Sequence, residues 1–261
     1  MPELPEVEAA VRALRAAVVG RTIRDAHTRH AAARRALPDD VAAALTGRRI
    51  VGVTRMGKHQ ALALDDGSTL HAHFRMTGDW DVGRADAPLP PHARVVLTFD
   101  DGVRVALVDP RALGGITWHA PGQAPAPALG PDALDDAFDA AALRAALRTR
   151  RTAIKPALLD QRVVAGVGNI YAAEALWVAR IDPRVAAASL GPARAERLVA
   201  AIRSVMRDAL ETPGRYQDGE ALERMHVYGR EGEPCTRCGA TIRRIVQAGR
   251  STYFCGGCQR R

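Results

Sequence analysis

Cys235-Thr236-Arg237-Cys238 and, sixteen residues later, Cys255-Gly256-Gly257-Cys258 form the stretch that decides how this chain is read. They hold all four cysteines, within the last 27 of 261 residues. Two C-x2-C pairs at this separation have the spacing of a tetrahedral zinc site. Each pair sits on a tight knuckle that offers two thiolates to one ion. Four thiolates leave no open position, so such a zinc holds structure and does no chemistry. The alternative is two disulfides, which suit an oxidising compartment. The N-terminus is acidic and lacks the basic and apolar regions of a signal peptide, so one structural Zn2+ in a cytosolic protein is expected. Between the pairs, residues 242–247 and 251–254 read as a β-hairpin turning at Ala248-Gly249-Arg250. Arg243, Arg244, Arg250, Arg260 and Arg261 decorate this module, a pattern suited to phosphate. Taken alone, the same arginines also fit a plain solvated face.

Upstream of the cysteines the apolar spacing is helical over about 136–149, 153–161, 170–179 and 190–210. Before that lies Ala120-Pro121-Gly122-Gln123-Ala124-Pro125-Ala126-Pro127, the signature of a linker. The first part reads as mostly β with one N-terminal helix. Val7, Val11, Leu14 and Val18 form a helix stripe that ends at Gly20. Strands are expected at 49–53, 61–64 and 70–76, with Asp65-Asp66-Gly67 as a hairpin turn. A second hairpin joins 95–99 to 103–108 through Asp100-Asp101-Gly102. With 37 Lys+Arg against 29 Asp+Glu the net charge is +8, which points to an anionic partner or to a solubility feature. Hydrophobic residues at 47% and charged residues at 25% exclude a disordered chain. No apolar run is long enough to span a membrane.

Pro2 carries the sharpest chemical hypothesis. A small second residue permits removal of Met1, which exposes a secondary amine. An α-amino group has a reference pKa of about 8 against about 10.4 for lysine, so far more of it is unprotonated near neutrality. An amine that attacks an aldehydic carbon forms an iminium, and that chemistry needs a nearby acid and base. Glu3 is the candidate. The plain reading of Glu3 and Glu6 is charge favoured in the first turn of a helix.

The pattern as a whole is more specific. Met1-Pro2-Glu3-Leu4-Pro5-Glu6-Val7-Glu8 resembles the start of the formamidopyrimidine-DNA glycosylase and endonuclease VIII family. So do Gly57-Lys58, His73-Phe74-Arg75-Met76-Thr77-Gly78, Asp109-Pro110-Arg111, Gly166-Val167-Gly168-Asn169-Ile170-Tyr171 and Val227-Tyr228-Gly229-Arg230. The match is collinear over nearly the whole chain. It implies an α+β fold: an N-terminal β-sandwich with its helix (1–120), a linker (121–131), a helix-two-turn-helix domain (132–226) and a zinc finger (227–261). It implies a monomeric bacterial repair enzyme in the cytoplasm. Its partner is double-stranded DNA with damaged bases or abasic sites. The family flips the damaged nucleotide from the duplex. Pro2 then attacks C1′ and Glu3 opens the sugar ring, with Glu6 and Lys58 beside them. Elimination cuts the strand. DNA binding falls by resemblance on His92, Asn169, Arg250 and Lys155, and Met76, Arg111 and Leu113 match the three side chains that fill the gap left by the flipped base. By its strand pattern alone, Met76 reads as a core methionine. The four cysteines are the expected metal ligands.

Three features depart from the formamidopyrimidine pattern. Leu113 stands where that subfamily commonly has Phe, and Arg75 where it has Gly. Only about sixteen residues separate the helix ending near Leu210 from Val227, a short loop more like endonuclease VIII. The resemblance still puts formamidopyrimidine and 8-oxoguanine lesions first as substrates, with oxidised pyrimidines the alternative. A non-catalytic DNA-damage binder, or a zinc-ribbon protein of transcription or translation, is the competing class.

Overall fold

The computed structural model describes residues 1–211 and 225–260. Their contacts divide into two units: Met1–Pro2 with Glu6–Pro127, and Glu3–Pro5 with Ala128–Arg261.

From Glu6 onward α1 (Leu4–Val18) belongs to the first unit, and its Val7, Val11, Leu14 and Val18 are all buried. Then come β1 (Ile23–Thr28), the six-residue helices α2 (Ala31–Ala36) and α3 (Asp39–Ala44), and β2 (Ile50–Met56). The chain continues through β3 (His59–Leu64), β4 (Thr69–His73), β5 (Asp79–Arg84), β6 (Ala93–Phe99), β7 (Val103–Val108) and β8 (Gly115–His119). Two antiparallel four-stranded sheets result, in the orders β1-β6-β7-β5 and β2-β3-β4-β8. Ile23, Leu97, Phe99 and Leu107 of one sheet share a core with Ile50, Leu62, Leu70 and Ile116 of the other and with the α1 stripe. This is the expected β-sandwich with its helix. The turn expected at residues 65–67 is present: Leu64 N–H bonds Ser68 O at 2.9 Å, and Gly67 has φ +83°.

Some elements differ from expectation. α2 and α3 are built largely of alanine, and a six-residue alanine run has no apolar periodicity to read. β5 has only exposed and half-buried positions. The strand expected over 70–76 stops at His73, because Arg75 takes a left-handed backbone (φ +56°) and starts a turn.

The second unit contains α4 (Ala140–Leu147), α5 (Ile154–Leu158), α6 (Asn169–Val178), α7 (Pro192–Glu211) and the hairpin β9 (Ile242–Gln247) with β10 (Arg250–Cys255). α4 starts later than expected because Asp139 caps it, accepting from Ala142 N–H at 2.7 Å. α5 is shorter than expected: the Asp160 carboxylate takes Arg162 N–H at 3.0 Å and draws the backbone into a turn. Phe138, Leu147, Ile154, Tyr171, Leu198 and Met206 fill one core. A smaller core of Trp177, Val227 and Ile242 backs the cysteines. The short loop expected before Val227 lies, but for its flanks, outside the described residues. Among those described, no helix is long and apolar enough to cross a membrane.

Candidate active site and metal centre

In the second unit the N-terminal segment is seated by glycines. Leu4 N–H bonds Gly166 O at 3.1 Å. Glu3 is 1% exposed, and its carboxylate accepts Ile170 N–H at 2.9 Å and Tyr171 N–H at 3.3 Å. Those donors are the first turn of α6, where unpaired N–H groups and the helix dipole favour a carboxylate. Gly168 is the N-cap of α6, and a Cβ there would lie 2.2 Å from Glu3 Cδ. Gly166 has φ +97°, and a Cβ there would lie 2.4 Å from Leu4 Cδ1. The Gly-x-Gly-Asn motif is thus a seat for residues 3 and 4. Pro2, half-buried, belongs to the first unit.

Lys155 has an unexpected place. It is 1% exposed, so it presents no charge at the surface for a phosphate. Its Nζ donates to Asn169 Oδ1, to Ser251 O at 3.2 Å and to Thr252 Oγ1 at 2.9 Å. Asn169 Nδ2 also donates to Ser251 O at 3.1 Å. Lys155 therefore ties the start of α6 to the start of β10, next to Arg250. Burial pushes its ammonium down to about 8, with Glu3 partly restoring the charge and Arg250 adding to the fall. Arg250 is exposed at the start of β10, after a two-residue turn in which Ala248 (φ +47°) and Gly249 (φ +72°) are both left-handed.

In the first unit Asp109 organises the expected DNA-contact loops. It is fully buried and accepts Arg111 N–H at 3.1 Å, Leu113 N–H at 2.7 Å, Gly114 N–H at 2.6 Å and the Thr77 hydroxyl. Burial opposes its charge, but these donors together hold its carboxyl below the usual range. Asp109 N–H in turn bonds His92 O at 3.1 Å. His92 (φ +63°) and Ala112 (φ +52°) are left-handed, strain of the kind kept at working loops. Met76 and Leu113 are 39% and 50% exposed, so Met76 is a turn residue facing solvent and not the core methionine its pattern alone gives. The local sequence marks Asp109 only as part of a motif; its hub role depends on loops that meet in space.

Lys58 lies in the β2–β3 turn after Gly57 (φ +59°) and is 7% exposed. Arg55 braces this turn, donating to Gly57 O at 3.0 Å and to Glu8 at 2.8 Å. Glu6 is half-buried in the first turn of α1. Beside Lys58, His59 Nδ1 lies 2.8 Å from His71 Nε2. Burial and the neighbouring histidine push His71 down to about 4 and His73 to about 3, so this face of the sheet is neutral imidazole at neutral pH. No motif reading singled out this histidine row.

The four cysteine sulfurs lie within 4.8 Å of one another. The Cys235–Cys258 and Cys238–Cys255 sulfurs are 3.8 and 3.4 Å apart, near the edge of about 3.8 Å for a tetrahedron with Zn–S bonds of about 2.3 Å. Trp177 Nε1–H donates to Cys235 Sγ at 3.4 Å. The set fits one structural zinc ion. Glu174, buried, accepts N–H groups of His226, Val227 and Tyr228 at 2.9 Å each and fixes the entry to the zinc module. It was legible only as a helix residue.

Comparison with known proteins gives three matches in chain order. Residues 1–116 match the formamidopyrimidine-DNA glycosylase N-terminal domain, 129–218 its H2TH domain, and 232–261 the zinc finger found in FPG and IleRS. A formamidopyrimidine-DNA glycosylase of Rhizorhabdus wittichii is 40% identical, with all of both chains covered. The solved formamidopyrimidine-DNA glycosylase of Lactococcus lactis, non-covalently bound to DNA containing an AP site, has a TM-score of 0.90 at 33% identity, covering 99% of this chain and 100% of that one. The same organism's enzyme with FAPY-dG-containing DNA has a TM-score of 0.88 at 32% identity, covering 99% and 100%.

Proposed function

The chain belongs to the formamidopyrimidine-DNA glycosylase family, and on that premise we propose how its residues perform the chemistry. The protein is a base-excision-repair DNA glycosylase for oxidised bases, with abasic-site lyase activity and one structural zinc. Removal of Met1 frees the Pro2 amine. Its lone pair attacks C1′ of the flipped nucleotide, and the bond from C1′ to the base breaks with its electrons leaving on the base. Glu3 takes the proton of the Pro2 nitrogen and passes it to O4′; the C1′–O4′ bond breaks with its electrons on O4′, the ring opens, and C1′ and the Pro2 nitrogen form an iminium. Loss of a C2′ proton expels the 3′ phosphate, and a second elimination expels the 5′ phosphate. Glu6 assists as a second carboxylate. Lys58, His92, Asn169 and Arg250 hold phosphates, Met76, Arg111 and Leu113 fill the gap, and Lys155 positions Asn169 and β10. The domains are taken as 1–120, 132–226 and 227–261 with a linker at 121–131, and the workplace as the bacterial chromosome.

The observation that carries this reading is the seat of the N-terminal segment. A carboxylate 1% exposed, pinned by two N–H donors of α6, fixes the residue next to Pro2. A plain surface helix start needs no such burial. Borohydride reduction of an abasic or oxidised-base duplex with the enzyme is the test. A stable protein–DNA adduct is expected, with base excision sharply reduced in Pro2→Gly and in Glu3→Gln. Absence of any adduct overturns the mechanism. Intact mass with Met1 retained points instead to a non-catalytic damage binder. Leu113, half exposed where an aromatic ring is usual, keeps oxidised pyrimidines as the second substrate reading. A panel of single-lesion duplexes opposite each base separates the two.

A further inference from the structure

We propose that a cleft formed by Arg180 just past α6, the start of α7 and the two cysteine knuckles is a second anion site, one that takes a phosphate-bearing ligand. Its lining is Arg180, Arg194, Arg197, Arg237 and Arg260 with Cys238, Gly257 and Cys258, around a cavity of 920 Å³. No carboxylate is among these residues. The proposal does not depend on the glycosylase reading.

The competing explanation is that the arginines merely balance the metal centre. A zinc tetrathiolate carries a formal charge of about −2, so five guanidinium groups exceed it by about three. Arg237 serves that centre: it lies 3.9 Å from Cys258 Sγ, stacks 3.7 Å over the Trp177 ring and donates to Trp177 O at 2.9 Å. Arg194 is engaged elsewhere as well. Arg180, Arg197 and Arg260 are exposed, and no carboxylate among the described residues pairs with them; Arg197 Nη1 donates to Ala193 O of its own helix at 3.4 Å. Charge pattern along the chain groups Arg260 with the hairpin arginines, but the fold places it in this cleft.

The mounts of these side chains are rigid. Arg180 has a left-handed backbone (φ +57°), and its carbonyl accepts Arg260 N–H at 3.2 Å. Gln259, between the knuckle and Arg260, donates to Ile181 O at 2.9 Å and accepts Cys255 N–H at 2.7 Å. Arg194 and Arg197 stand in the opening turns of α7, whose first turn has no acidic residue. A helix start favours negative charge, and here cations gather around it. An anion in the cleft relieves both repulsions. Guanidinium forks match phosphate oxygens two at a time. Trp177, the aromatic residue nearby, is only 6% exposed, so no open ring is offered to a nucleobase. Phosphate is therefore the recognised chemistry, in a nucleic-acid backbone or a free polyphosphate.

The test uses the zinc-loaded full chain and two probes, tripolyphosphate by calorimetry and an undamaged duplex titrated over a range of salt. The double variant Arg180→Asn/Arg197→Gln removes two charges; Asn suits the left-handed position and Gln a helix. Arg197→Glu alone, on an exposed helix face, serves if the double variant folds poorly. Wild type is expected to bind tripolyphosphate one to one, and the variants roughly tenfold or more weakly, as for loss of one charge-assisted pair. If duplex backbone is the natural ligand, the slope of log K against log salt falls by about 2 in the double variant. If free polyphosphate is, that slope is unchanged while tripolyphosphate binding drops. Zinc content stays at wild-type level in both cases. Equal binding of both probes by wild type and variants overturns the proposal. So does heat that tracks release of zinc.

Discussion

Gly168 is where a single methyl group decides the site. A Cβ there would sit 2.2 Å from Glu3 Cδ, whose carboxylate is held by two N–H groups of α6. Gly168→Ala is expected to cost about 1–3 kcal/mol and to displace the carboxylate. Thermal unfolding and single-turnover excision check this; unchanged values in both would show that the seat yields. Lys155 makes a pH prediction. Its ammonium is held down to about 8 when folded, while an unfolded chain keeps the proton to about 10.4. Between those values the unfolded state binds more protons, so stability rises with pH. The burial cost is fully present below about pH 8 and relieved above it. Urea unfolding of wild type and Lys155→Gln across that window is expected to move in favour of wild type as pH rises. A constant difference would mean that Lys155 is not desolvated.

At the scale of elements, the zinc hairpin depends most on its ion. The core behind it is small, with Trp177, Val227 and Ile242 as its main apolar members. Chelation of zinc is expected to speed amide exchange across residues 232–260 and leave β2–β8 unaffected, as hydrogen-exchange mass spectrometry would read. Unchanged exchange in zinc-free protein would assign the hairpin's stability to packing alone. This hairpin was legible because two C-x2-C pairs and an Ala-Gly turn bracket alternating residues. The α1 stripe was legible because four apolar residues follow the helical period. α2 and α3 were not, since six residues rich in alanine show no period, and β5 was not, since it buries no residue. The 111–114 loop and the Met76 turn were readable as motifs but not as a pair. Their common anchor, the Asp109 carboxylate, joins segments 32 residues apart.

For the whole molecule, the excess of positive charge has specific addresses. The formal charge is +8, with Arg111 and Arg250 exposed on separate units and Arg180, Arg197 and Arg260 around the cleft. Duplex binding is expected to weaken steeply with salt, with a slope of about −0.9 per phosphate neutralised. Arg250→Ala is expected to flatten it by about one such step. A nearly flat dependence for wild type would make the charge a solubility feature.

The sequence by itself determined the zinc ligands, the hairpins and the helix stripes, because these rest on short spacings and local periods, and the family, through the resemblance of its collinear motifs. Tertiary structure alone decided three things. Glu3 meets α6 across 167 residues, under a glycine whose missing side chain makes room. Lys155 is a buried tie to β10 across 96 and 97 residues. Arg260 parts from the hairpin arginines to line a different surface. In each case the deciding contact joins distant segments. Burial and charge at such a contact are set by packing, and local residue order carries no trace of it.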